Sequence, residues 1–73
     1  MTNEEQIELQ ERAVRESLGA AERLLDKALE RIERGDLDAD EIRATLKLVQ
    51  DATCHLFNAG VYAGTAERLA EEA

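Results

Sequence analysis

A chain of 73 residues with 17 acidic side chains against 9 lysines and arginines, no proline and a net charge of −8 is one small domain at most, and it buries too little surface to be comfortably stable alone. Its single thiol, Cys54, excludes an internal disulfide framework, and its acidity argues against a broad phosphate-binding footprint. One tyrosine and one phenylalanine stand among many Ala, Leu, Glu and Arg residues, which lose least on entering a helix, so the expected fold class is all-α.

The opening residues MTNEEQIELQE are acidic and contain no apolar run, which predicts neither a signal peptide nor a transit sequence. The first helix is expected from near residue 3 to Arg34, capped by Thr2 or Asn3. A seven-residue step picks out Ile7, Val14, Ala21 and Ala28, and an interleaved step Leu18, Leu25 and Ile32, as the two positions of a heptad seam. Leu24 and Leu29 widen that stripe, as a helix touching more than one neighbour requires. Acid-before-base pairs at Glu8 and Arg12, Glu11 and Arg15, and Glu30 and Arg34 support the exposed side.

Gly35 follows Arg31 and Arg34 where a left-handed C-cap belongs. In GDLDAD, Asp38 is the expected N-cap of the second helix, with Glu41 as its capping-box partner. That helix carries Ile42, Val49, Leu56, Ala63 and Ala70 at sevens, thickened by Leu46, Leu48, Ala52, Phe57 and Leu69. In NAGVYAGTA, Gly60 and Gly64 each cost about 1 kcal/mol relative to alanine in a helix interior. Either the helix continues and small residues admit a close neighbour, with Gly19 supplying a match, or it breaks near Asn58 to Gly60 and a short third helix follows. Continuity is the reading adopted.

The result is an antiparallel helical hairpin, a single domain over residues 1–73. Two helices alone bury one stripe each, so hairpins are expected to assemble into a helical-bundle oligomer or to bind another protein subunit. The interface residues expected are Leu18, Leu25, Leu29, Ile32, Val49, Leu56, Phe57, Gly60, Tyr62 and Gly64. No stretch approaches the roughly 20 apolar residues of a membrane span, and the expected location is the cytoplasm.

Little in the sequence points to catalysis. Cys54 and His55 are helix neighbours pointing about 100° apart, a poor metal pair and a poor nucleophile and base. Asp36, Asp38, Asp40 and Glu41 lack the internal glycine and distant glutamate of an EF-hand, and capping accounts for them. No catalytic, cofactor or metal residue is assigned, and no enzymatic activity is expected.

Charge is unevenly placed. Glu4, Glu5, Glu8 and Glu11 precede the first helix's centre, Asp36 to Glu41 fill the turn, and Glu71 and Glu72 lie near the end. Between them the helical segments are nearly neutral, and their basic residues remain open to a local anionic contact.

The stretch RIERGDLDADEIRATLKLVQDAT, Arg31 to Thr53, resembles the small subunit of phage terminases of the short-tailed phage type. The family shows a helix ending in R-I-x-x-G-E, then A-x-A-x-[DE]-L and a second helix. Here Arg31, Ile32, Gly35, Ala39, Glu41, Ile42 and Lys47 to Asp51 match, with Asp36 in place of Glu. TLKLVQDAT departs from the family where an arginine and a final Asn-Gly are expected. The resemblance implies a non-enzymatic oligomer of the host cytoplasm that recognises the packaging site on viral DNA and regulates its large partner's motor. DNA contact would then fall to Arg12, Arg15, Arg23, Lys27, Arg31, Arg34, Arg43 and Lys47. The alternatives are a small hairpin chaperone or adaptor, similar in layout to the type III secretion co-chaperones but without their Tyr-Gln at the start of helix two, and an acidic accessory or inhibitor protein docking a basic partner.

Overall fold

The computed structural model describes residues 2–72, which form two helices, α1 (Asn3–Arg34) and α2 (Ala39–Glu72), folded back on each other. The result is an all-α hairpin rod of 54 × 15 × 13 Å.

Its ends follow from local chemistry. Thr2, with extended backbone, accepts the Glu5 amide on its hydroxyl oxygen at 3.2 Å, and its carbonyl accepts the Gln6 amide at 3.0 Å. At the other end of α1, Gly35 has φ 75° and ψ −177°. The φ is positive as expected, but the ψ is extended, a combination that essentially only glycine adopts. Asp36 follows at φ 54°, tolerable because a short polar side chain bears the left-handed region better than most. Asp38 then caps α2, its carboxylate accepting the Glu41 amide at 2.8 Å and its carbonyl the Ile42 amide at 2.9 Å. Glu41 differs from expectation: its carboxylate pairs with Arg34 across the turn at 3.4 Å. Arg34 is therefore drawn to Glu41 rather than back along α1 to Glu30.

The second helix runs unbroken through Gly60 and Gly64, so no third helix forms. Two glycines in a helix of 34 residues cost less than the backbone hydrogen bonds a break would free.

What joins the helices is small. Among the described residues the buried set is Ala21, Ala28, Ala52, Ala59 and Thr45. The step Ile7, Val14, Ala21, Ala28 faces inward as expected, but the interleaved step does not. Leu18, Leu25 and Ile32 are exposed, and the inward positions are those one residue earlier, Ser17, Leu24 and Arg31. The expected seam of α2 moves likewise. Ile42, Val49, Leu56, Ala63 and Ala70 are exposed, while Thr45, Ala52, Ala59 and Ala66, with Leu48, His55 and Leu69, turn toward α1. The turn is centred between Asp36 and Leu37, which sets Ala28 across from Thr45, Ala21 across from Ala52, and Val14 across from Ala59.

The reason is steric. Helices approach most closely where the contacting side chains are smallest, and close approach gives dispersion contact along the whole line. Leucine at those positions would hold the axes apart. Thr45 fits because its hydroxyl donates to the Glu41 carbonyl at 2.8 Å, leaving its methyl for the seam.

Candidate interaction surface

Displacing the leucines from the seam assembles them elsewhere. Leu18 follows Ser17, Leu25 follows Leu24, Leu29 follows Ala28 and Ile32 follows Arg31, so each stands one step, about 100°, beyond an inward residue. On α2 the same relation puts Ile42 after Glu41, Leu46 after Thr45, Val49 after Leu48 and Leu56 after His55. The helices run in opposite directions, so the position one step past the seam falls on the same side of the hairpin from both. Eight large aliphatic side chains thus share one face, all exposed, from 39% at Val49 to 59% at Ile32. Phe57, 72% exposed, stands at its outer rim. The face occupies the turn half of the rod.

Of the interface residues expected from sequence, Leu18, Leu25, Leu29, Ile32, Val49, Leu56, Phe57 and Gly60 lie on or beside this face. Tyr62 is separated from them: it lines a shallow groove on the opposite side with Ala13, Glu16, Ser17, Ala20 and His55. Gly64 sits on the outer side of α2. A β-carbon built on Gly60 or Gly64 meets nothing within 4 Å, and one on Gly19 meets only the end of the Arg23 side chain. The close approach predicted for the small residues belongs to the alanine seam instead. Ile42 and Leu46 are the residues that sequence reasoning assigned to the intrachain stripe and that join the exposed face.

The opposite side mixes small apolar residues with charged and polar ones. His55 borders a second shallow groove with Ala20, Arg23, Leu24 and Lys27, and Cys54 is exposed, turned outward from α2. Of the eight cations singled out by sequence, three are held in ion pairs: Arg34 with Glu41 at 3.4 Å, Arg43 with Asp40 at 3.0 Å, and Lys47 with Asp51 at 3.9 Å. Among the described residues no ion pair involves Arg23, Lys27 or Arg31, which follow one another at four-residue steps along α1. The acidic turn is occupied by structural duties, with Asp38 capping, Glu41 on Arg34 and Asp40 on Arg43.

Compared with known protein families, curated proteins and solved structures, the chain matches none. Of the residues that carried the terminase resemblance, Arg31 to Ile42 sit at or beside the turn, while Lys47 to Asp51 lie within the body of α2. Gly35 takes the glycine-only backbone, Asp36 the positive φ that follows, and Glu41 the ion pair that ties the two helices together. Among the described residues no helix is long and apolar enough to cross a membrane.

Proposed function

We propose that this protein is a non-catalytic helical interaction module whose working surface is the apolar face of its turn half. The observation that carries the reading is the gathering of Leu18, Leu25, Leu29, Ile32, Ile42, Leu46, Val49 and Leu56 on one side, while the hairpin holds itself together with alanines. Scattered exposed leucines are ordinary, but a contiguous apolar patch rimmed by polar residues marks an interaction site. The fold supplies a rigid bearing for it and leaves the contact to the leucines.

The test is native size. Expressed in cells and examined both in extract and after purification, the chain should run in an assembly larger than its own 8.1 kDa. Leu25→Glu with Val49→Glu should return it to 8.1 kDa with far-UV helicity intact. A monomer in both settings, or an assembly indifferent to the double substitution, would overturn the reading.

A second reading, contact with DNA as in a terminase small subunit, draws on the ridge Arg23, Lys27 and Arg31 on the side away from the apolar face. Phosphate contacts of this kind weaken steeply with salt. Arg23→Ala with Lys27→Ala should abolish retention on duplex DNA, and retention unchanged by the pair rules the ridge out.

A further inference from the structure

We infer that the occupant of the apolar face is a second copy of this chain, packed face to face about a two-fold axis that runs along the rod, so that α1 of each hairpin lies over α2 of its partner and both turns share one end. The inference rests on reading that face as an interaction surface and adds the identity and orientation of the partner.

Area is the first argument. The isolated hairpin exposes 5527 Å², whereas a folded monomer of this mass is expected to expose about 4,500 Å². The excess, about 1,000 Å², is close to the roughly 800 Å² that each partner contributes to a stable interface of standard size. A two-fold axis brings the same patch of both copies together, and an apolar face is the chemical match of another apolar face.

Charge selects the orientation. Glu22, Asp26 and Glu33 edge the face along the outer side of α1, all exposed. The matching outer edge of α2, from Leu46 through Gln50 and Thr53 to Phe57, carries no charge. Laying α1 over α1 takes a two-fold axis across the rod; centred on the patch, it would align the two acidic edges, and like charges brought together oppose association. Laying α1 over α2 sets each acidic edge against a neutral one and keeps the two acidic edges on opposite sides of the four-helix assembly. It also superimposes the two apolar patches fully, because both lie in the turn half. The same α1-over-α1 packing centred on the rod instead would avoid that alignment but place each patch over the polar open half of its partner.

In this arrangement Leu25 of one hairpin lies near Val49 of its partner and far from its partner's Leu25. Two single-cysteine chains, L25C and V49C, each in a Cys54→Ser background, provide the probe. Purified and mixed, then oxidised, they should form the mixed disulfide in at least tenfold excess over either like-with-like product. Light scattering of the unsubstituted purified chain should give twice 8.1 kDa. Predominant L25C homodimer would overturn the orientation and show α1 over α1. A purified chain that stays monomeric while extract still holds it in a larger, L25E/V49E-sensitive assembly would overturn the second copy and leave the interaction-module reading standing. A purified assembly of three or more copies would overturn the two-fold axis. Monomer in every setting would remove both.

Discussion

Ala52→Leu is the perturbation that bears most directly on what holds the two helices together. Ala52 is 1% exposed and faces Ala21, also at 1%, so the three added carbons find no space between the backbones. The helices must part locally or the leucine must leave its rotamer, and overpacking of this kind costs about 1–3 kcal/mol. A chain of this length has a total stability of only several kcal/mol, on the scale of about 0.05–0.15 kcal/mol per residue. The melting temperature should therefore fall by about 4–8 °C for each kcal/mol lost. Leu25→Ala is the matched control. With the side chain 41% exposed in the hairpin, its loss should cost about 1 kcal/mol or less in the monomer, since about 25 cal/mol is at stake per Å² of buried apolar area. Urea unfolding followed at 222 nm, at protein concentrations low enough to populate the monomer, gives both values. If Leu25→Ala costs about 2–5 kcal/mol there and Ala52→Leu costs nothing, the alanine seam is not the intrachain contact.

The turn and caps yield further expectations. Gly35→Ala, at φ 75° with ψ extended, should destabilise by about 1–3 kcal/mol, while Gly64→Ala, whose new β-carbon meets nothing within 4 Å, should stabilise by about 1 kcal/mol; thermal melts of the pair should move in opposite directions. Asp38→Ala removes the acceptor of the Glu41 amide and should lower stability by about 1 kcal/mol, with the loss of hydrogen-exchange protection concentrated in the first turn of α2. Thr45→Ala completes the alanine seam and removes a hydroxyl whose partner is a carbonyl of its own helix; a urea midpoint unchanged or slightly raised is expected, and a fall of more than about 1 kcal/mol would show that the hydroxyl does more than satisfy itself. Each copy carries −8, so raising salt from 20 to about 200 mM should tighten self-association by screening, as read by sedimentation equilibrium.

The helices, their ends and the turn could be read from the sequence because each rests on one or two residues acting locally: Thr2, Gly35 and Asp38 do what their chemistry dictates wherever they occur. One seam position was equally plain, since Ile7, Val14, Ala21 and Ala28 recur at sevens and face inward. The second was displaced by one residue on α1, to Ser17, Leu24 and Arg31, and the seam of α2 was displaced from Ile42, Val49 and Leu56 to Thr45, Ala52 and Ala59. Hydrophobic periodicity finds the bulkiest stripe, whereas two helices choose the slimmest one for their mutual contact. Each helix here carries both stripes, offset by a step of one or three residues. Nothing local in the sequence says which belongs to the hairpin and which to its surroundings; only the pairing geometry separates them. Most of the residues expected at an interface lie on the exposed face, which also takes in Ile42, one of the sevens, and Leu46, which periodicity reads as thickening the internal stripe.

The alanine seam has an evolutionary corollary. Because the residues of the alanine seam and those of the apolar face form two disjoint sets, a substitution on the face leaves every seam contact in place and costs the hairpin about 1 kcal/mol or less. Lineages could exchange the leucines for other shapes or charges and so acquire new pairing preferences, with no fold to rescue afterwards. The same separation suits the rod to engineering: a library varied at one or two of the eight aliphatic positions at a time should keep the hairpin helical while changing the shape and charge of its face.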